Sequence, residues 1–517
     1  MNNTEKTLKN SIISVGAQIL SLILQFINRR VFIIFLDIEY LGYQTLFGNV
    51  ISLLSVAELG IGNIIAFHLY KEIVDNNENE IGKLMYLYKW LYRIVAVVVL
   101  CAGIWCYFLL PFIVKDATAS WSYLHLIYFL QLGSVIAGYF LSYRRTIYIA
   151  TQQEYKCVQI DLYTTAIVQV LQLGLLALSR SYIVYLCLQL STNIISNIII
   201  ARKTDKDFPY LRNKYIVTKE DVEKRHLFSD LKNFLIHQIC YAVYSGTDNI
   251  IISAYCGVRN VALYGNYVTV QKGVMQVLFY KLLNPVQATI GNIVYGNRSK
   301  KELWEQFKLL DMFSVFFATY IGLGFWIFYQ PFIQLWMGKE YLLSNGFVAL
   351  FSVTIYLGAV WEIVYKYRTV FGDYRQDRNF MIASAILNIV ISIIAAQRFG
   401  IAGVQLGTLV AYLPIGIGRI RFVVKNYFEQ SMVRYLFKHF LILILVVLEG
   451  VICYVLVKNM PVNILGFLER VVVWAIVPLV INIIVFYRSK YFKQLVQYSK
   501  RIVVLLFSKI KIKYDRR

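Results

Sequence analysis

Apolar stretches of about twenty residues recur along almost the whole chain, separated by short polar connections. A helix that crosses a bilayer needs roughly 20 predominantly apolar residues, and 58% of this chain is hydrophobic while 16% is charged. The pattern predicts an all-α polytopic membrane protein with about fourteen transmembrane helices and no separate soluble domain. The predicted spans are 8–36, 44–70, 84–113, 121–149, 160–179, 182–201, 231–255, 261–293, 307–330, 341–365, 379–397, 400–418, 439–457 and 464–487.

The distribution of lysine and arginine predicts the orientation of these spans, because basic residues near span ends stay on the cytoplasmic side. With the N-terminus inside, 41 of the 52 basic residues lie on the inner side and seven on the outer side. We therefore expect both termini in the cytoplasm. The net charge of +23 then faces the anionic inner leaflet, and nucleic-acid binding is not needed to explain it. In the basic tail, 488–517, apolar residues alternate with lysine and arginine, as they do in an amphipathic helix that lies at the membrane interface.

The sequence lacks the motifs of the common enzyme and cofactor sites. Seven cysteines are scattered without a C-x-x-C pair, and the histidines show no H-E-x-x-H spacing. No phosphate-binding loop of the G-x-x-x-x-G-K-[ST] type and no G-x-S-x-G elbow occurs. We expect no enzyme activity, no cofactor and no metal site, and any transport that the chain performs does not use its own ATP hydrolysis.

Four basic residues are assigned to neither side and lie in the interior of predicted spans: Arg29, Arg30, Lys272 and Lys281. An arginine at the centre of a span costs about 2.5 to 3.5 kcal/mol. Two explanations stay open for Arg29 and Arg30: they face a hydrated cavity, or they snorkel to the outer headgroups. Nine residues separate Lys272 from Lys281, which puts them on opposite helix faces. Lys272 is the deeper of the two and the better cavity candidate.

Carboxylates inside spans are functional candidates by default. Glu58, Asp248 and Glu362 are predicted to take part in ion coupling or in charge pairing. Glu58 could neutralise the arginines of the first helix, and Asp248 could pair with Lys272. A proton or a sodium ion is the alternative partner for either carboxylate. Two further carboxylates near inner span ends are predicted to be ordinary boundary charges: Asp161 and Asp311.

An internal repeat suggests how the spans are grouped. The tetrapeptide IGNI occurs at 61–64 and at 290–293, near the inner ends of the second and the eighth spans. The second and the eighth spans differ by six in order, an even number, so the repeats share orientation and predict two parallel six-helix bundles. The expected division is 1–201 for an N-terminal lobe, 202–230 for a cytoplasmic linker, 231–425 for a C-terminal lobe, 426–487 for two additional helices and 488–517 for the tail.

Three stretches resemble bacterial polysaccharide transport proteins, the flippases of lipid-linked O-antigen and capsule repeat units. They are RRVFIIFLDIEYLGYQTLFGNVISLLSVAELGIGNIIAFHLYK at 29–71, SGTDNIIISAYCGVRNVALYGNY at 245–267 and ATIGNIVYGNRSKKE at 288–302. That family belongs to a superfamily that also contains multidrug and toxin extruders and the lipid II flippase. The resemblance implies two six-helix lobes around a central cavity, plus two C-terminal helices that in the lipid II flippase line a groove for the lipid tail.

The resemblance also implies a function. The expected substrate is an undecaprenyl-diphosphate-linked oligosaccharide, moved by alternating access from the inner to the outer leaflet of the bacterial cell membrane for capsule, O-antigen or exopolysaccharide assembly. Polymerases and glycosyltransferases of the same pathway are expected partners, besides membrane lipids. Because arginine binds phosphate oxygens through paired hydrogen bonds, Arg29, Arg30, Lys272 and Lys281 are the expected substrate-binding residues.

Two other functions are weighed against this one. A cation-coupled drug extruder of the same superfamily is the first alternative, and its cavity is expected to hold more carboxylate and less arginine. A membrane glycan polymerase or ligase is the second. Enzymes of that class generally carry a large outer loop, whereas every predicted outer connection here is short.

Overall fold

The computed structural model describes residues 3–55, 65, 68–70, 72–213, 215–217, 227–294, 296, 299–372, 376–498 and 500. Regular structure within these residues is helical. The main helices are α1 (Asn3–Phe35), α2 (Ile38–Leu54), α3 (Glu78–Tyr107), α4 (Trp121–Ser142), α5 (Tyr155–Ser179), α6 (Tyr182–Asp207), α7 (Leu227–Cys256), α8 (Val258–Val274), α9 (Lys281–Val294), α10 (Lys300–Trp336), α11 (Asn345–Val360), α12 (Glu362–Phe371), α13 (Arg378–Phe399), α14 (Ile401–Ile420), α15 (Met432–Val457) and α16 (Ile464–Phe486).

Every predicted span overlaps one of these helices, and the all-helical polytopic fold is confirmed. Among the described residues, eight helical segments are long and apolar enough to cross a membrane, or nine if a bent pair is taken as one span. One of the eight, Arg378–Tyr427, contains two of the predicted spans. Hydrocarbon offers no partner to backbone amides, so a chain of this composition satisfies them within helices.

Short polar residues define where several helices begin. Side chains that cap helix N-termini by accepting a backbone N–H are those of Asp37, Asn77, Ser344, Ser431 and Asn463. Ser299 and Glu302 form a reciprocal capping box at the start of α10. Gly257, between α7 and α8, has a φ of 89°, a backbone conformation that favours glycine.

Three interruptions inside helices were not predicted from the sequence. The α11–α12 pair bends by 42° at Trp361, and no proline lies there. The Trp361 ring stacks on Tyr412 at 5.6 Å and closely approaches Gly416, where a side chain would collide with it. Two segments, Met275–Tyr280 and Arg421–Tyr427, are π-helical. Such wide turns are rare and occur frequently at functional sites.

The chain divides into two compact units by packing. Unit 1 is Met1–Lys281 with Met381–Thr408, and unit 2 is Leu282–Phe380 with Leu409–Arg517. Residues 231–281 and 381–408, which the sequence analysis assigned to the C-terminal lobe, therefore pack within unit 1. The predicted lobe and linker boundaries stay a prediction.

Unit 1 is built around α2, which packs against α4, α7 and α8. Gly42 allows the closest of these contacts, because a side chain there would collide with the backbone of Val258 at the start of α8. Around it, Tyr43, Phe47 and Tyr128 are fully buried. The Tyr128 hydroxyl donates to the Gly103 carbonyl at 2.8 Å. Close backbone contact and buried hydrogen bonds are the usual means of joining helices in lipid.

Unit 2 is organised by α10, which packs against α11, α15 and α16. Indole groups tie it to its neighbours: Trp326 Nε1 donates to the Gly450 carbonyl of α15 at 3.1 Å, and Trp474 Nε1 of α16 donates to the Tyr320 carbonyl at 2.8 Å. The α15–α16 turn is closed by the buried guanidinium of Arg470, which donates to the carbonyls of Pro461, Gly466 and Met460.

The described part of the basic tail, 488–498 and 500, contains a short helix that packs on the start of α10. Phe492 stacks on Phe316 at 5.2 Å, and both Lys490 Nζ and the Tyr491 hydroxyl donate to Glu305. The remaining tail residues lie outside the described part of the chain.

Candidate functional site

A polar cavity of about 280 Å³ lies within unit 1, among α1, α2, α7, α8 and the π-helical turn that follows α8. Its lining residues are Ser21, Leu22, Gln25, Arg29, Thr45, Asn49, Asn249, Gly265, Val268, Thr269, Lys272, Gly273 and Gln276. Amides and hydroxyls predominate. The lining includes two cations, Arg29 and Lys272, and no carboxylate among the residues that the structure describes. Such a cavity favours an anionic ligand.

Arg29 is held in this cavity by uncharged partners on α8. Its Nε donates to Asn266 Oδ1 at 2.6 Å, and its Nη2 donates to the Ala262 carbonyl at 3.2 Å. Within the described chain no carboxylate lies within 4.0 Å of the guanidinium, and Nη1 has no protein hydrogen bond. The positive charge is therefore positioned without being neutralised, and one edge of the guanidinium is left for a ligand.

Gly265 makes room for that guanidinium. A Cβ atom at this position would lie 2.9 Å from Arg29 Nη2, which is closer than a carbon and a nitrogen can approach without a shift. Lys272, two turns further along α8, is exposed within the same cavity. The sequence analysis singled out both cations, and the structure brings them to one cavity from two different helices.

The orientation of α1 is fixed by a buried amide network on its opposite side. Asn28 Nδ2 donates to Gln172 Oε1 of α5 at 3.3 Å, and the Tyr185 hydroxyl of α6 donates to Asn28 Oδ1 at 3.3 Å. Gln172 Nε2 in turn donates to the Tyr185 carbonyl. Because Asn28 faces α5 and α6, its neighbour Arg29 is rotated by about 100° toward the cavity.

The other predicted cations do not join this cavity in the described structure. Arg30 is half-buried and is not among the lining residues, as expected for a residue one position further round the helix. Lys281 begins α9, and its side chain lies outside the described set. Glu58 and the first copy of the IGNI repeat, 61–64, also lie outside the described residues.

Asp248 of α7 lies in a second polar site within unit 1. Its carboxylate is almost fully buried, and Oδ2 accepts hydrogen bonds from Thr408 Oγ1 at 2.9 Å and from the Tyr264 hydroxyl at 3.3 Å. Asn388 of α13 donates to the same Thr408 hydroxyl at 3.3 Å. Asp248 Oδ1 accepts no hydrogen bond from the described residues. The carboxylate is thus paired with hydroxyls, and not with Lys272 as one of the alternatives above had it.

Glu362, the third predicted carboxylate, is paired. Its Oε1 lies 3.2 Å from Lys366 Nζ, one turn along α12 in unit 2, and both side chains are buried. Nearby, Arg368 binds Asp377 through Nε and Nη2 at 2.9 and 2.6 Å. Charge pairing accounts for Glu362, one of the two roles predicted for it. Among the described residues, no group of three or more potential metal ligands occurs.

An apolar cavity of about 250 Å³ lies within unit 2, among α10, α11 and α15. Its lining residues are Gly322, Leu323, Trp326, Ala349, Ser352, Val353, Tyr356, Leu443, Val446, Val447, Gly450 and Val451. No charged residue is among them. This cavity suits a hydrocarbon ligand, because an apolar lining offers a polar ligand few hydrogen bonds.

Two carboxylates that were predicted to be ordinary boundary charges take part in side-chain networks, Asp311 in a buried one and Asp161 in a partly exposed one. Asp311 of α10 is 1% exposed and accepts hydrogen bonds from the Tyr435 hydroxyl at 2.7 Å, from Lys438 Nζ at 3.3 Å and from His439 Nε2 at 3.1 Å. Asp161 binds Arg145 through both oxygens, at 2.7 and 2.8 Å. Their position near span ends carried no sign of these partners.

No family model and no curated protein matches the sequence. Solved structures do match. The lipid II flippase MurJ in its inward closed conformation aligns with a TM-score of 0.67 at 15% identity, over 92% of this chain and 99% of that chain. A mutant of the Vibrio cholerae MATE transporter VcmN aligns with a TM-score of 0.54 at 12% identity, over 81% and 95% of the two chains.

A third similar structure is the inward-facing conformation of a multidrug resistance MATE family transporter of the MOP superfamily, with a TM-score of 0.52 at 12% identity over 80% of this chain and 98% of that chain. At these identities the similarity shows the fold. The chain has the membrane fold that the lipid II flippase and the MATE transporters share.

Proposed function

We propose that this protein is a flippase that moves a polyprenyl-diphosphate-linked oligosaccharide from the inner to the outer leaflet of a bacterial cell membrane. The observation that carries the proposal is the polar cavity of unit 1, where Arg29 and Lys272 meet with no carboxylate in the described lining. The diphosphate is the part of such a substrate that cannot cross hydrocarbon unaided, because burying its charges is very costly.

The arrangement of Arg29 fits a diphosphate. Asn266 and Ala262 occupy Nε and one hydrogen of Nη2, which leaves Nη1 and the second Nη2 hydrogen for phosphate oxygens. Lys272 supplies a second, flexible charge. Neutral amides and hydroxyls such as Gln25, Asn49 and Thr269 surround the two cations, and such groups form hydrogen bonds with sugar hydroxyls. Roles for Arg30 and Lys281 stay predictions.

The apolar cavity of unit 2 supports the lipid part of the proposal. It offers a hydrocarbon-lined space in contact with α15, one of the two helices beyond the predicted six-helix lobes. By the resemblance to the lipid II flippase, we assign it to the polyprenyl chain. The substrate would then engage two chemically distinct sites, with its charge on unit 1 and its chain on unit 2.

Transport by this fold without ATP hydrolysis needs another driving force. We propose that Asp248 binds the coupling ion, a proton or sodium. Thr408, Tyr264 and Asn388 surround the carboxylate, and one carboxylate oxygen lacks a described donor. Oxygen ligands of this kind suit sodium, and protonation of the carboxylate suits the same surroundings. The binding cavity would open alternately to the two sides of the membrane, with both termini cytoplasmic.

A cation-coupled drug extruder is the second candidate, because MATE transporters share the fold. The charge of the cavity argues against it. A cationic drug would meet Arg29 and Lys272 and would find no carboxylate among the described lining residues.

The decisive experiment reconstitutes the purified protein in vesicles that carry a fluorescent undecaprenyl-diphosphate oligosaccharide and measures its appearance in the opposite leaflet by quenching. The same vesicles are tested for uptake of a cationic dye. We expect glycolipid movement in the wild type, an ion-gradient dependence that disappears in Asp248→Asn, and no dye transport. Dye transport without glycolipid movement would overturn the proposal in favour of drug extrusion.

A further inference from the structure

A carboxyl group that has no charged partner among the described residues is buried among α10, α15 and α16, in unit 2. Glu449 lies in the middle of α15 and is fully buried. Its Oε1 accepts a hydrogen bond from Asn482 Nδ2 of α16 at 2.8 Å, and Asn482 also donates to the Pro478 carbonyl at 2.7 Å. Its Oε2 is buried and has no hydrogen-bond partner among the described residues.

In the part of the chain that the structure describes, the titratable groups that interact with Glu449 are neutral ones. They are Tyr320 on α10, Tyr356 on α11 and Cys453 one turn along α15. No basic residue of the described chain forms an ion pair with Glu449, whereas Asp311 on α10 has Lys438 and His439 as partners. The same helix pair thus contains one carboxylate with charged partners and one without.

An ionised carboxylate in this position would leave one oxygen with no donor from the described residues. Burial of such a charge is so unfavourable that the group binds a proton instead. The amide of Asn482 can donate to the carbonyl oxygen of the acid, and the unpartnered Oε2 is then the oxygen that carries the proton. Asn482 donates to Oε1 in either state, and burying the neutral acid, even with its Oε2–H unpaired, costs far less than burying the anion.

We propose that Glu449 is a proton-binding site of the α10–α15–α16 bundle, occupied when the three helices pack as described. The proton comes from water and returns to it, with an O–H bond at Oε2 formed and broken. Loss of the proton leaves an anion that draws water and loosens α15 from α10 and α16. Gly450, the next residue, lines the apolar cavity and accepts the Trp326 indole hydrogen bond, so the cavity would widen with this step.

This inference does not depend on what the protein transports, and its test needs no transport. The wild-type protein, labelled with ¹³C-glutamate in lipid nanodiscs, is titrated by infrared spectroscopy across the neutral pH range in H₂O and D₂O. We expect a protonated glutamic acid C=O band at pH values where exposed carboxyls are ionised, with slow exchange in D₂O. Absence of any such band in the wild type would overturn the proposal, whatever the behaviour of variants.

Two variants assign the band. Glu449→Gln is expected to remove it, while the matched control Glu362→Gln, whose carboxylate is paired with Lys366, is expected to keep it. A band that persists unchanged in Glu449→Gln would refute the assignment.

Thermal unfolding gives an independent readout. If the folded state keeps the proton and the unfolded state releases it near pH 4.3, the folded state binds more protons, and stability falls as pH rises above that value. Glutamine mimics the acid and does not titrate. We expect the melting temperature of Glu449→Gln relative to the wild type to increase by a few degrees from pH 5 to pH 8. A difference that stays constant over this range would also count against the proposal.

Discussion

The two cavities have similar volumes and opposite chemistry. The cavity of unit 1 is lined by amides, hydroxyls, Arg29 and Lys272, whereas that of unit 2 has no charged residue among the described residues that line it. The helices around them are also joined differently. Neutral amides position α1, while α10 and α15 are joined by the charged network of Asp311. Taken each by itself, the polar cavity suits an anionic group and the apolar cavity suits a hydrocarbon chain.

The largest effect on stability is expected in the charged network that joins α10 and α15, two of the helices that line the apolar cavity. Asp311→Asn removes the anion that faces Lys438 and His439, and each buried hydrogen bond to a charged group that is lost costs about 1.5 to 3 kcal/mol. Asn28→Ala, in the neutral network beside the polar cavity, should cost about 1 kcal/mol. Thermal unfolding in a single detergent measures both. Equal destabilisation by the two substitutions would contradict the expected difference between the charged network of Asp311 and the neutral network of Asn28.

Binding of an anionic head group in the polar cavity is expected to depend on Arg29. Arg29→Ala removes at least one hydrogen bond from a charged donor, which contributes about 1.5 to 3 kcal/mol, so we expect at least roughly 10- to 100-fold weaker binding of a soluble polyprenyl-diphosphate analogue in a competition assay. Arg29→Lys should restore part of it. The matched control is Arg398→Ala, an exposed arginine in unit 1, which should leave affinity unchanged. Equal losses at both positions would show that the loss at Arg29 is not specific to the cavity.

The chain side of the comparison is tested by filling the apolar cavity. Val447→Phe adds an aromatic ring to the lining of α15, where it occupies volume that the polyprenyl chain would otherwise fill. We expect a several-fold slower movement of a long-chain substrate and little change for a short-chain analogue. Val455→Phe, at a similarly exposed position of the same helix outside the lining, is the control. Equal slowing of both substrates would argue against a chain-binding cavity.

The smallest effect tests how finely the guanidinium is placed. Gly265→Ala puts a methyl group against Arg29 Nη2, so the guanidinium must shift by a few tenths of an ångström. We expect a loss of analogue affinity of a few fold, on the scale of a weakened hydrogen bond, without loss of expression. Gly174→Ala, where a Cβ meets nothing within 4 Å, should have no effect on affinity. An unchanged affinity in Gly265→Ala would mean that the contact does not position Arg29.

The sequence predicted what hydrophobicity controls. The fourteen spans follow from runs of apolar residues that the bilayer selects, and Arg29 and Lys272 stood out because charge is rare in such runs. Arg30 was grouped with Arg29 by adjacency, although neighbours on a helix differ by 100° in direction. Only the packing of Asn28 against α5 and α6 determines which of the two faces the cavity.

What depends on distant partners could not be predicted. Asp311 lies near a span end, and its burial depends on His439, 128 residues further along the chain. The bend at Trp361 lies where the sequence has no proline to signal it. In the folded protein the wide indole ring fills the space beside Gly416, and this contact depends on a residue far along the chain. The π-helical turn after Lys272 has no sequence signal that we can identify.

Gly42 has a consequence for how this protein can vary in nature. Because α2 meets α8 there through bare backbone, every codon change that alters the amino acid inserts a side chain into an interface that has no space for it. Substitutions at position 42 should therefore be eliminated by selection. Gly48, whose nearest neighbour is an adaptable glutamine, should tolerate substitution. Sequencing natural isolates would then show an invariant residue at position 42 and variation at position 48.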